Sequence, residues 1–357
     1  MDEAEDLMVL VPALLQSLEV LGFVARHLNP ADLYELMGAI GEPDTALTEA
    51  RPRLEKWPDR IADLRTALQA ASDQVLISFE RLREAAGQGD GIRLAYRALR
   101  GLPLAEEALY PFAAQLAPIS RYFLQNGMRG DAGLLERLAQ GSGRDNVGVA
   151  HFDNEVGSRG GFSLYVPETY SPEVEVPLVV ALHGGGGNGR GFLWSWLRDA
   201  RSRGAILIAP TAVGDTWALS GQDRDTPNLM RILEFVTERW NVDPKRLLLT
   251  GMSDGGTFSY VSGLEPRSPF THLAPIAAAF HPMLAQMADP ERLTGLPIFI
   301  GHGALDWMFP IDMAREARST LTAAGATVTY REIADLSHTY PRELNAEILD
   351  WLSQPRP

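Results

Sequence analysis

Seven short apolar or β-branched runs lie beyond residue ~147 of this 357-residue chain: FSLYVPETY, PLVVALH, GAILIAP, RLLLT, HLAPIAAAF, LPIFIGH and TVTYREI. Helical segments such as PNLMRILEFVTERW, MAREARSTLTAA and RELNAEILDWL alternate with most of them. Strands that are apolar along their whole length have no face suited to water. The alternation therefore predicts an α/β unit, a mostly parallel sheet with helices on both sides.

The first ~145 residues read differently. In WPDRIADLRTALQAASDQVLISFERLREAAG, the residues Ile61, Leu64, Leu68, Val75, Leu76, Phe79 and Leu82 recur at helical spacing between Pro58 and Gly87, which predicts one long helix. DGIRLAYRAL, LAEEALYPFAAQL and LLERLAQ continue the helical pattern, and no alternating strand pattern separates them. The polar stretch QGSGRDNV, residues 140 to 147, suits a junction. The expected organisation is an all-helical N-terminal domain over 1–145 and an α/β domain over 148–357.

Composition removes several function classes. Thirty-two basic against 46 acidic residues leave a net charge of -14, which disfavours nucleic acid or an anionic membrane as partner, because both require basic patches. The chain has no cysteine, which excludes thiolate catalysis and cysteine-ligated metal centres. The apolar stretch near the start follows Asp2, Glu3, Glu5 and Asp6, where a signal peptide carries positive charge, and Pro12, Gln16, Ser17 and Glu19 interrupt it. It is expected to form an amphipathic, core-facing helix rather than a transmembrane segment, and the expected location is cytoplasmic.

The chemistry is concentrated in RLLLTGMSDGGTFSY, where an apolar strand leads through Gly251-Met252-Ser253-Asp254-Gly255 into a helical pattern. G-x-S-x-G in that context allows a sharp strand-to-helix turn that holds a serine strained, with its hydroxyl presented. A serine hydroxyl needs a base, and the base needs an orienting group. Asp306 follows the apolar strand of LPIFIGHGALDWMFP, and His338 follows the next one in TVTYREIADLSHTYP, which supplies the order serine, acid, histidine at the carboxyl edge of the sheet. Asp215, Asp223 and Asp225 precede the serine and are better suited to loop hydrogen bonds or helix capping. His302 sits at a strand end four residues before Asp306 and reads as a loop-shaping residue.

Directly after PLVVAL comes His183-Gly184-Gly185-Gly186-Gly187-Asn188-Gly189. Glycines let backbone N–H groups turn toward a substrate oxygen, and donors aimed at a developing oxyanion can be worth ~3 to 4 kcal/mol each. The expected donors are the amide of Gly184 or Gly185 and that of Asp254. The run lacks the Lys-Ser/Thr of a phosphate-binding P-loop.

Together, YVPETY, LVVALHGGGGNGRGFLWSW, NVDPKRLLLTGMSDGGTFSY, GHGALDWMFP and LSHTYP resemble the phospholipase/carboxylesterase group of serine α/β-hydrolases, near feruloyl-esterase-like and polyhydroxybutyrate-depolymerase-like esterases. The resemblance spans about residues 148 to 355. It implies an α/β-hydrolase fold, Ser253 as nucleophile, His338 as base and Asp306 as its orienter, matching the assignment from the residues. It implies a serine ester hydrolase working through an acyl-enzyme on a small-molecule ester, without metal or organic cofactor. A thioesterase or peptidase on the same fold, or a non-catalytic binding protein on a hydrolase scaffold, are the alternatives.

Trp194, Trp196, Trp217 and Trp307 fall in or near loops at the expected site edge. An apolar acyl or aromatic subsite formed by Trp194, Trp217 and Trp307 is one reading, and packing beneath the loops is the other. The helical N-terminal domain, without counterpart in the family, could serve as a lid, an oligomerisation surface or a partner-binding module.

Overall fold

The computed structural model describes residues 3–354. The chain divides into two compact units, Met1–Leu135 and Glu136–Pro357. The division falls inside the helix Ala132–Gly141, a few residues before the polar stretch expected to form the junction.

Among its described residues, the regular elements of the first unit are all helices. Its two longest helices, Glu3–His27 and Ala62–Ala86, have 25 residues each. Leu10, Leu14, Leu18, Leu21 and Val24 recur at helical spacing in the first helix and are buried. This helix is long and apolar enough to cross a membrane by length and composition, yet that apolar stripe is turned into the core of the unit. The helix Ala62–Ala86 follows a short 3-10 turn at Asp59–Ile61 and stops at Gly87. The run LAEEALYPFAAQL does not form one helix: the α-helix Gly101–Leu109 gives way to a 3-10 turn at Tyr110–Phe112, where Pro111 cannot donate to the α-helical ladder.

The second unit is built on an eight-stranded sheet. Its strands are β1 (Gly148–Phe152), β2 (Phe162–Val166), β3 (Val176–Leu182), β4 (Ile206–Pro210), β5 (Val242–Met252), β6 (His272–Ile276), β7 (Pro297–Gly303) and β8 (Thr327–Ile333). The order is β1-β2-β4-β3-β5-β6-β7-β8. The last six in that order run parallel, while β1 pairs antiparallel with β2, and β2 with β4.

Burial follows from the two-residue period of a strand. Leu178, Val180 and Leu182 of β3 share a core layer with Leu229 and Ile232 of the helix Asp225–Thr237 and with Phe258 of the helix Asp254–Gly263. Val179 and Ala181, which alternate with them, are also fully buried, so both faces of the sheet are covered. The helix Gly189–Arg203 begins at Asn188, whose side chain accepts a hydrogen bond from the Gly191 amide at 2.8 Å. Its Arg201 makes a buried ion pair with Glu168, Nε to Oε1 2.9 Å, and the Tyr165 hydroxyl donates to the other carboxylate oxygen at 2.7 Å. Every charged atom so placed needs these partners, because an unpaired buried charge is strongly destabilising. Six parallel strands thus bring their carboxyl ends to one edge, where the loops after β3, β5, β7 and β8 carry the candidate site.

Candidate active site

β5 ends at Met252, and the helix Asp254–Gly263 starts two residues later. Ser253 makes the whole turn, with φ 55° and ψ −119°, a region that L side chains rarely occupy and that costs on the order of 1 to 3 kcal/mol. The surroundings hold it there. Its N–H donates to the Ile276 carbonyl at 3.0 Å, and its own carbonyl accepts from Thr257 N–H at 2.8 Å in the first helical turn. The flanking glycines are required by close backbone approach: a Cβ on Gly251 would sit 2.5 Å from the Gly255 carbonyl carbon, and one on Gly255 would sit 2.4 Å from the Leu182 oxygen.

The structure brings Ser253, His338 and Asp306 together. His338 Nε2 lies 3.0 Å from Ser253 Oγ, and His338 Nδ1 lies 2.8 Å from Asp306 Oδ2. All three are buried. Asp306 Oδ1 accepts from the amides of Met308 at 2.9 Å and Phe309 at 2.8 Å. Burial by itself would raise the Asp306 pKa. Hydrogen bonds from His302 and His338 and from the Phe309 amide outweigh it and hold the carboxyl well below the usual carboxylate range. An ionised Asp306 can only accept, so Nδ1 of His338 carries the proton and Nε2 presents its lone pair to the Ser253 hydroxyl. The Phe309 ring stands edge-on to the His338 imidazole at 5.2 Å.

His302 does more than shape the loop. Its Nε2 donates to the Phe309 carbonyl at 2.8 Å and lies 3.4 Å from Asp306 Oδ2, the oxygen that also receives His338. Two imidazoles therefore converge on one carboxylate. The i, i+4 spacing from Asp306 was the available signal, but only the turn at 303–306 folds the two side chains toward each other.

The glycine loop after β3 lies beside the serine. A Cβ on Gly184 would be 3.6 Å from Ser253 Cβ, and one on Gly185 would be 2.6 Å from Asp254 Oδ2. Asp254, first residue of the helix, accepts from the Thr216 hydroxyl at 2.6 Å through the same oxygen. Three hydrogen bonds hold the loop in place. Nε2 of His183 accepts from the Ala212 amide at 3.1 Å, Nδ1 donates to the Gly184 carbonyl at 2.7 Å, and the Trp217 indole donates to the His183 carbonyl at 2.8 Å. The sequence names His183 only as the start of the glycine run, and gives no sign of Thr216. A histidine directly before the glycine run is the one signal that was there to use.

This arrangement makes His183 sensitive to pH. Burial pushes its pKa down to about 4. An unfolded imidazole protonates near 6.5, so between these values the unfolded chain binds more protons, and stability falls as pH drops from about 6.5 to about 4. Asp199 has the opposite sign, because burial raises its carboxyl to about 6 and its contribution weakens the fold as pH rises toward that value. The comparison with His183→Gln isolates the histidine. In urea unfolding followed by tryptophan fluorescence, the stability advantage of the wild type over the variant should shrink by about 3 kcal/mol between pH 7 and pH 4. An advantage independent of pH would show that His183 is not the buried neutral group described.

The tryptophans divide. Trp194 is only 2% exposed and Trp217 3%, and Trp196 is buried with them. Trp217 stacks on Phe258 at 5.4 Å and supports the glycine loop from beneath. Trp194 lies on the buried side of its helix, and Trp217 turns inward to donate its indole N–H. Trp307 is 46% exposed, with its ring 6.4 Å from the His338 imidazole.

Residues 220–354 match the family model described as phospholipase/carboxylesterase. The second unit resembles that family of α/β-hydrolases. Among curated proteins, this phospholipase/carboxylesterase-like unit is similar to the bifunctional acetylxylan esterase/xylanase XynS20E of Neocallimastix patriciarum, 27% identical over 162 residues, 44% of this chain and 23% of that protein. It is also similar to feruloyl esterase C of Emericella nidulans, 27% identical over 159 residues, 42% of this chain and 56% of that protein. The chain thus spans about a quarter and about half of the length of these two relatives. A solved ferulic acid esterase superposes with a TM-score of 0.48 at 16% identity, covering 57% of this chain and 96% of its own.

Proposed function

We propose that the chain is a serine carboxylic ester hydrolase that works through an acyl-enzyme on Ser253. The observation that carries this reading is the continuous hydrogen-bonded line from Ser253 Oγ through the two nitrogens of His338 to Asp306, at 3.0 and 2.8 Å, set on a strained elbow. The curated relatives are themselves named as esterases, which supports an ester as the bond attacked.

The cycle follows from the placement of these groups. His338 Nε2 takes the Ser253 proton as Oγ attacks the ester carbonyl, and the carbonyl electron pair moves onto oxygen. Asp306 stabilises the imidazolium that forms. The amides of Asp254 and of Gly184 or Gly185 receive the oxyanion, as preorganised donors in a site where little water competes. When the tetrahedral species collapses, the bond to the alcohol oxygen breaks and the leaving group takes the proton from His338, leaving the acyl group on Ser253. Water then attacks this ester, with His338 again as base, and releases the acid and free serine. Every step uses groups of the chain, and none calls for a metal or organic cofactor.

With p-nitrophenyl acetate, deacylation slower than acylation should produce a pre-steady-state burst of about one p-nitrophenol per chain. Turnover that is absent for every ester in a panel of acyl, feruloyl and thioesters would sink the reading.

A further inference from the structure

We propose that His302 is a positioning residue for the base, acting through Phe309. It ties the far side of the acid loop to β7, so that Asp306 and the Phe309 ring hold His338 in line with Ser253; this rests on the hydrolase reading above. The near side of that loop has main-chain support. Ala304 N–H donates to the Ile333 carbonyl and Leu305 N–H to the Leu336 carbonyl, each at 2.9 Å, which fastens the start of the loop to the segment leading to His338. The far side, residues 307–310, lacks such support. Among the described residues, its one hydrogen bond to a strand is the 2.8 Å bond that His302 Nε2, next to the end of β7, donates to the Phe309 carbonyl.

Phe309 passes this restraint to both members of the acid-base pair. Its N–H donates to Asp306 Oδ1 at 2.8 Å, and its ring meets the His338 imidazole at 5.2 Å with the two planes perpendicular. A shift of Phe309 would move a donor of the acid and a wall of the base together. His302 suits the task because it is only 1% exposed, so water does not compete for its N–H, and an imidazole has few side-chain torsions to fix. Nε2 also lies 3.4 Å from Asp306 Oδ2, but the shorter contact takes its proton to the Phe309 carbonyl. Position, more than a further hydrogen bond to the carboxylate, is what His302 supplies. The titratable groups that face this pair include Asp306 and Ser253 against His338, and Glu332, which stands opposite His302 on β8 and is engaged by Arg315 and the Tyr330 hydroxyl.

The test replaces His302 by leucine, which fills space but donates nothing, and by glutamine, whose amide nitrogen reaches the place of the imidazole Nε2. With p-nitrophenyl butyrate, His302→Leu should lower kcat about 10- to 100-fold with KM within about twofold, because a small misplacement of the base slows the chemistry and leaves binding alone. The acid limb of kcat/KM reports the base in the free enzyme. It should move down by about half a pH unit or more, since an imidazolium less firmly paired with Asp306 gives up its proton more easily. His302→Gln should bring kcat back to within about threefold and return the limb to its wild-type place. A fall in kcat with an unmoved limb, or equal losses in both variants, overturns the proposal in favour of general loosening. A limb that moves up overturns it as well, by making His302 a group that weakens the hold of Asp306. Glu332→Gln removes a charge and keeps the tether, so it should leave the limb in place, and an equal shift there is a third contrary result. If His302→Leu does not fold by tryptophan fluorescence, His302→Asn, whose shorter amide falls short of the Phe309 carbonyl, carries the same expectations. The wild-type burst on butyrate separates the two levels: a burst with unaffected His302 variants rejects the tether alone, and no burst rejects the hydrolase reading with it.

Discussion

Replacing Ser253 by alanine should lower kcat on a p-nitrophenyl ester by about 10^6-fold and abolish the burst, because without Oγ there is no group for His338 to deprotonate and no acyl-enzyme to form. Removing a hydroxyl that makes one side-chain hydrogen bond should leave stability within about 1 kcal/mol, so the variant stays folded and the loss is chemical. A residual rate from binding and the oxyanion donors alone is expected, roughly 10^3-fold above water. A loss below about a hundredfold would mean that another residue carries the nucleophile. The strained backbone at position 253 does not depend on the hydroxyl, since it is held by the Ile276 and Thr257 main-chain contacts and by the close approach of Gly251 and Gly255.

The second large effect is expected from Asp306→Asn. The carboxylate serves three donors, the Met308 and Phe309 amides on Oδ1 and His338 Nδ1 on Oδ2, with His302 close to the latter. An asparagine oxygen can still receive the two amides, so the loop survives. Its NH2 group would then face His338 Nδ1, favour the wrong tautomer and place a proton where Nε2 should hold a lone pair, while the imidazolium loses its counter-charge. A fall in kcat of about 10^4-fold with KM nearly unchanged is expected, read from full kinetics on the same ester. A change of less than tenfold would mean that Asp306 shapes the loop without serving the base.

Much of this was legible in the amino-acid sequence, and for identifiable reasons. Continuous apolar runs, such as PLVVAL and LPIFI, exclude a half-solvated sheet, and with the helices that alternate with them they sufficed for the α/β class. Gly251 and Gly255 betray the elbow because only a bare backbone tolerates 2.4 to 2.5 Å approaches, and the proximity of Ser253, Asp306 and His338 follows from loops that end parallel strands on one edge. What escaped depended on side-chain direction or on weak edge pairing. β1 at Gly148–Phe152 is only half-buried, and its sequence lacks the apolar or β-branched run that marked the other strands. Trp194 and Trp217 stand next to site loops in sequence, but which way each ring turns is decided by the packing of the 189–203 helix and by the His183 carbonyl. The convergence of His302 on Asp306 required the turn between them, and the two hydrogen bonds that reach His183 from Ala212 and Trp217 required β3 and β4 to be neighbours.

The proposed chemistry depends on acylation of Ser253 Oγ. Quenching the reaction with p-nitrophenyl butyrate in acid during the burst, digesting the protein and mapping the modified peptide by mass spectrometry tests it directly. One butyryl group per chain, about 70 Da, is expected on the peptide that contains Ser253, localised to that serine by fragmentation. A burst whose acyl group sits on another residue, or turnover with no covalent species at Ser253 at any time before the steady state, would contradict it.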